Sequence, residues 1–342
     1  RPPNGGGRRP ARPRRGVPRA GRAGRPRAAP ADRAVGGGAG ASVLRAMSRS
    51  AATDARTFDD ATRVTALGDG RFAADVDLGW AAPTAANGGY LAAIIVRAIE
   101  AHVDPAAVRL RSLTIHYLRP AGAGALELAV ETVRQGRRIT SLRVGGRQGG
   151  KEVLAALAAC AVPDLPAAGT WLPAPPPVAP APPRDAPRLA GHEWRRDAGD
   201  HWLEVHEQAP SVMHRVQIAP RFGGIPFSGR RPAPGEAPQT GGWITLPQPR
   251  PVDAAYVALC ADVWWPPGFE PLDRPAVAPT IDLTIHFRAD LPPGGLPDQP
   301  VLGWYRSTTA RDGLVEEDGL VFGADGTLLA HSRQLAVFTP LA

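Results

Sequence analysis

An aspartate, a threonine and a glutamine stand in this chain where its own internal repeat calls for hydrocarbon. The tetrapeptide Leu113-Thr114-Ile115-His116 recurs 170 residues later as Leu283-Thr284-Ile285-His286. Each copy follows an apolar, small-residue helix and a loop containing Pro or Asp, and each leads to alternating segments that end in an Ala-rich strand. Two copies of one α+β unit in one chain describe a fused pseudo-dimer. Laying Tyr90 on Tyr256 places Asp262 on Val96. Laying the two LTIH strands together places Thr280 on Leu110, and laying Leu154 on Leu329 places Gln334 on Ala159. At all three positions the second copy is polar and the first apolar.

Those residue types suit one chemistry. At helical spacing Asp262 continues the inward face of Ala255, Ala258 and Leu259, on a helix expected over residues 253–263 and stopped by Pro266-Pro267. A carboxylate there is desolvated unless partners meet it, and Asp is a poor helix former. Thr280 and Gln334, on nearby strands, are the available partners. Gln334 alternates with Ala330, Ser332 and Ala336, a small-residue face that leaves room beneath the helix. An Asp, a hydroxyl and an amide can hold one water and accept its proton, which is the apparatus of general-base hydrolysis without a covalent intermediate. Taken singly, an Asp near a helix end or a Gln on a strand is more often solvent-facing; the internal comparison is what favours the catalytic reading.

The elements that must position these groups follow the same order twice. In the first unit, residues 72–78 alternate as a strand, a loop with Pro83 and an N-cap candidate at Thr84 follows, and residues 90–100 form a helix apolar nearly all round, hence buried. Residues 110–118, 126–133, 140–147 and 153–162 read as strands, with Gly136 and Gly149-Gly150 supplying turns. In the second unit, strands are expected at 202–207, 213–218, 280–288, 300–307, 313–322 and 327–338, with Asp325-Gly326 as a hairpin turn. One central helix followed by an antiparallel meander describes a sheet wrapped around a helix. The units span residues 55–162 and 191–340. Residues 163–190 join them as a stiff linker, ten prolines falling within 163–187.

The net charge of +8 suggests nucleic acid until its location is considered. Residues 1–46 hold twelve Arg and the single acid Asp32, so the rest of the chain is slightly acidic. That Pro/Gly/Arg-rich tail, residues 1–50, reads as disordered, and it offers no aromatic platform for bases. Met47 opens a sensible reading frame, and the residues before it read as upstream sequence. No apolar run reaches the ~18 residues of a membrane span. Cys160 and Cys260 lie in apolar segments as reduced core residues, which fits a cytoplasmic protein. No HExxH or CxxC spacing suggests a metal, and no G-x-S-x-G suggests a serine esterase. His116 and His286 alternate with apolar neighbours and read as structural. Arg119, Arg137, Arg138 and Arg143 are candidates for coenzyme A phosphates, although for any single one an ordinary solvated strand arginine is the better-supported reading.

Several segments together resemble the double-hotdog acyl-CoA thioesterases, the group of bacterial acyl-CoA thioesterase II. In the first unit they are Asn87-Gly88-Gly89-Tyr90, His116-Tyr117-Leu118-Arg119-Pro120 and residues 133–144; in the second they are Ala261-Asp262, Thr280-Ile281-Asp282, Ala324-Asp325-Gly326 and Ser332-Arg333-Gln334. The resemblance implies a tandem (double) hotdog of α+β class and a hydrolase that releases free fatty acid and coenzyme A. It puts a water-orienting triad at Asp262, Thr280 and Gln334, and substrate contacts, including the oxyanion, at Asn87, Gly88, Gly89 and Tyr90. Acyl-CoA is then the partner and substrate, no cofactor or metal is called for, and double-hotdog chains are expected to associate as homo-oligomers. The loop between Asp262 and Thr280, with Trp264-Trp265 and Pro266-Pro267, looks shorter than is usual in that group, and residues 192–239 carry no matching motif. Two other readings use the same scaffold: a hydratase or dehydratase of enoyl or hydroxyacyl thioesters, which wants a His beside its acid, and a non-catalytic acyl-CoA or lipid-binding module.

Overall fold

A computed structural model describes residues 56–83, 85–191 and 200–341. The expected tail, residues 1–50, and the N-cap candidate Thr84 lie outside the described residues. Among the described residues the main sheet has thirteen strands. Twelve form one path: β1 (Thr65–Gly68), β2 (Arg71–Val76), β3 (Arg109–Tyr117), β4 (Gly124–Gln135), β5 (Ile139–Gln148), β6 (Lys151–Ala161), β7 (Gln217–Phe222), β8 (Gln239–Thr245), β9 (Thr280–Phe287), β10 (Val301–Arg306), β11 (Leu314–Phe322) and β12 (Leu328–Val337). Their spatial order is β1-β2-β4-β5-β6-β3-β9-β12-β11-β10-β8-β7, and a two-residue strand at Ala310–Arg311 pairs with β11.

The halves meet at β3 and β9, which pair antiparallel with Thr114 opposite Thr284 and Leu113 opposite Ile285. The repeated tetrapeptide is therefore hydrogen-bonded to its own copy about a pseudo-two-fold axis. The two threonine hydroxyls lie 3.0 Å apart on that axis. The inward residues Leu113, Ile115, Leu283 and Ile285 are all fully buried.

Against the inner face lie two helices, α1 (Gly88–His102) and α2 (Ala254–Cys260). Asn87 caps α1 by accepting from the Tyr90 N–H at 3.0 Å, and Asp253 caps α2 by accepting from the Tyr256 N–H at 2.9 Å. The helices lie side by side and antiparallel: the start of α1 touches the end of α2, while Arg97 of α1 pairs with the Asp253 cap at 2.9 Å. A Cβ at Gly89 would meet the Leu259 carbonyl oxygen at 2.7 Å, so only glycine allows the approach. Residues 162–187 hold no helix or strand; the Trp243 and Trp202 indole N–H groups donate to Ala179 and Pro183 carbonyls, tying this segment to the second half.

Three local expectations are corrected. Helix α2 stops at Cys260, so Asp262 lies in a turn just beyond the C-cap Ala261 rather than on a helix face. Residues 211–215 form a 3₁₀ turn, and the strand begins only at Gln217. The counterpart of Gln334 is Ala158, not Ala159. Opposite the tetrapeptides, Thr114 faces Leu157 and Thr284 faces Arg333, so one step further along each strand matches Ala158 with Gln334. One residue of strand register exchanges the two faces of a sheet. Ala158 is on the buried face, so the exchange of apolar for polar survives the shift.

Candidate active site

Asp262 is half-buried at the junction of the two helices. Its Oδ2 accepts from the Gly89 N–H at 2.8 Å and from the Asn87 side-chain amide at 3.2 Å; the same amide donates to the Asp262 carbonyl at 3.0 Å. The positive end of the fifteen-residue helix α1 thus points at the carboxylate. A Cβ at Gly88 would stand 2.7 Å from Asp262 Oδ2, so a side chain there would push the carboxylate aside. Burial pushes the Asp262 carboxyl up to about 6, and the Gly89 N–H and the Gln334 and Asn87 amides keep it from rising further.

Thr280 reaches the inner face through a bulge. Strict alternation would place it on the outer face with Asp282 and Thr284, opposite Leu283 and Ile285. The pairing shifts between Thr280 and Asp282, leaving Ile281 extra and setting Thr280 opposite the inward Ala336. Its hydroxyl then donates to Gln334 Oε1 at 2.8 Å. Gln334 Nε2 donates in turn to Glu317 Oε1 at 2.9 Å. Gln334 and Glu317 are directly paired across β11 and β12, and both are buried. The cluster is therefore closed at Gln334 and Glu317 and partly open at Asp262 and Thr280, the side from which a water and an acyl carbonyl could arrive.

Asp262, Thr280, Gln334, Asn87, Gly88 and Gly89 thus gather in one place. Tyr90 does not join them. Its ring stacks on Trp80 with 5.8 Å between centroids, its hydroxyl donates to the Ala61 carbonyl at 2.8 Å, and it accepts from the Asp77 N–H at 3.1 Å. The Gly89 N–H, expected to face a substrate oxygen, is engaged by Asp262 instead. Two further groups belong to the cluster. Tyr117 donates to the Gly88 carbonyl at 2.8 Å, and burial, then the Asp262 carboxylate, raises its hydroxyl well above the usual range. Glu317 was legible in the alternation of Val315, Glu317, Gly319 and Val321, which sets a carboxylate on the buried face of β11. Among the described residues no three His, Cys, Asp or Glu side chains group as a metal site.

The sequence profile of the acyl-CoA thioesterase N-terminal domain matches residues 76–161, and that of the C-terminal domain matches residues 182–338. The chain belongs to the acyl-CoA thioesterase family. No curated protein matches it. Among solved structures, a hot dog fold protein of unknown function from Alicyclobacillus acidocaldarius is 24% identical over 84% of this chain and 100% of its own, with a TM-score of 0.69. A protein assigned as a thioesterase II from Thermobifida fusca YX is 26% identical over 82% of this chain and 97% of its own, with a TM-score of 0.62. The acyl-CoA thioesterase II TesB2 from Mycobacterium marinum is 20% identical over 84% of this chain and 99% of its own, with a TM-score of 0.58. The thioesterase folds as a tandem hotdog of α+β class, and it is a thioester hydrolase. Among its described residues, no helix is long and apolar enough to cross a membrane.

Proposed function

We propose that this protein cleaves acyl-CoA to free fatty acid and coenzyme A with a water held between Asp262, Thr280 and Gln334. The observation that carries this reading is the Thr280–Gln334 hydrogen bond at 2.8 Å beside a half-open carboxylate pushed up to about 6. Such a carboxylate is mostly ionised at neutral pH and basic enough to take a proton from water. The step balances without a cofactor. Asp262 accepts a proton as the water oxygen attacks the thioester carbonyl carbon. The C–S bond then breaks, and the departing thiolate takes up the proton from Asp262. Thr280 and Gln334 fix the water before attack. Asn87 and the Gly88-Gly89 helix start hold the carboxylate in place instead of binding the carbonyl oxygen. Tyr90 takes no part. A Glu, not a His, stands beside this Asp, which disfavours the hydratase alternative. We further place the enzyme in cytoplasmic fatty acid metabolism, as a homo-oligomer.

The test is thiol release from acyl-CoA of graded chain length by wild type and by Asp262→Asn. A loss of at least ~10²-fold in kcat is expected for a positioned base. Unchanged turnover would sink the assignment, and tight binding of acyl-CoA without thiol release from any chain length would favour a binding module.

A further inference from the structure

The water-holding groups use Glu317 only as a hydrogen-bond acceptor, yet a carboxylate buried to 7% exposure on a core-facing strand position needs a reason. Among the described residues, its side-chain hydrogen-bond partner is the Gln334 amide, at 2.9 Å. An ionised carboxylate can only accept, so it obliges Gln334 to present nitrogen to Glu317 and oxygen to Thr280. Thr280 must then donate its only hydroxyl proton to Gln334, which leaves its lone pairs to accept from a water beside Asp262. A neutral carboxylic acid lifts the obligation, because it can donate to Gln334 Oε1 and allow the amide to turn over. The hydroxyl of Thr280 would then point its proton into the site.

We propose that Glu317 is a positioning residue that sets the orientation of the Gln334 amide and, through it, whether Thr280 accepts from or donates to the reacting water. This rests on the reading of Asp262, Thr280 and Gln334 given above. The charged and titratable groups around Glu317 are Asp262 from the turn after α2, Tyr305 from β10, and Glu316 and Asp318 on its own strand, the last paired with Arg333 of β12. Burial, with the Asp262 charge adding to it, raises Glu317 to about 8, while the Gln334 amide opposes the rise. The orientation is thus enforced in the upper part of the accessible pH range.

Glu317→Gln keeps the volume and one acceptor but lets the amide settle either way. At pH 9 its kcat should be lower than wild type by about tenfold or more, with KM within about twofold, and the two enzymes should converge near pH 6.5. In a Gln334→Ala background the substitution should cost nothing further. Equal kcat at pH 9, an equal loss at both pH values, or additive losses in the double variant would overturn the proposal. Wild type itself should show a second inflection in kcat near pH 8; a profile flat from pH 7 to 10 overturns it even if the variant does not fold. Asp262→Asn separates the two ideas: if it is inactive while Glu317→Gln behaves as wild type, only the role of Glu317 falls, and if it retains turnover the underlying reading falls as well.

Discussion

Asp262 meets two opposing demands. Withdrawal from water raises its carboxyl, and the Gly89 N–H, the helix dipole and two side-chain amides pull it back, leaving it at about 6. Its carboxylate form does the chemistry in this reading, so kcat/KM should drop roughly tenfold per pH unit below about 6, a slope that a pH–rate profile measures directly. Glu317 makes a second prediction, about stability. Its folded-state value, about 8, lies above that of an unfolded glutamate, so the folded protein holds the proton more tightly between roughly pH 4.5 and 8. The stability this contributes is fully present at low pH and is lost as pH rises through 8. Glu317→Gln should therefore melt higher than wild type at pH 9, by on the order of 2–4 kcal/mol, with the gap closing towards pH 4.5. Calorimetry across that range checks it. A stabilised but slower enzyme is what a buried functional carboxylate predicts.

At the scale of elements, two details of backbone make the cluster. The first is the close contact of the α1 start with the α2 end. Gly89→Ala forces a Cβ against the Leu259 carbonyl, where backbone cannot yield cheaply. Overpacking of this kind costs about 1–3 kcal/mol, and it should also displace the N–H that holds Asp262, so both the melting temperature and kcat should fall. The second is the bulge at Ile281, which turns Thr280 inward. These details also mark what could be read from the sequence. Helix α1, most of the strands and the identity of the polar residues follow from periodicity and from comparing the repeats, because those signals are local. The crossover that sets β3 beside β6 and β9 beside β12, where a plain meander would pair them with β4 and β10, is not local and is not legible in the sequence. The end of α2 does not: its apolar run continues past Cys260, and only the fold shows that Asp262 has left the helix. Bulges carry no periodic signature, which is why alternation alone misplaces Thr280. The offset at Gln334 has another source: the true counterpart of Leu329 is Val153, its apolar neighbour Leu154 being one residue out. Tyr90 adjoins the right motif but spends its hydroxyl on Ala61 and Asp77.

For the whole molecule, the pairing of β3 with β9 joins both halves into one sheet, and the antiparallel helices cross the same boundary. The covalent link, by contrast, exposes Leu165, Trp171 and Leu172 to solvent. Cutting the chain between residues 165 and 172 should leave one cooperative melting transition and unchanged thiol release; two separate transitions would show that the halves are held together mainly by the link.

The unequal helices have a consequence for anyone hoping to double the catalytic output of this chain. Val96 sits deep within fifteen residues of continuous helix, fully covered, whereas its partner position is released into a turn after only seven. Installing Asp, Thr and Gln at 96, 110 and 158 would strand an acid in hydrocarbon, with the acid Asp253 capping the other helix where Asn87 caps α1, and no second reaction centre should appear in an Asp262→Ala background. Silence in the amino-terminal half is written into where a helix stops, and awakening it would mean shortening α1 before changing a single side chain.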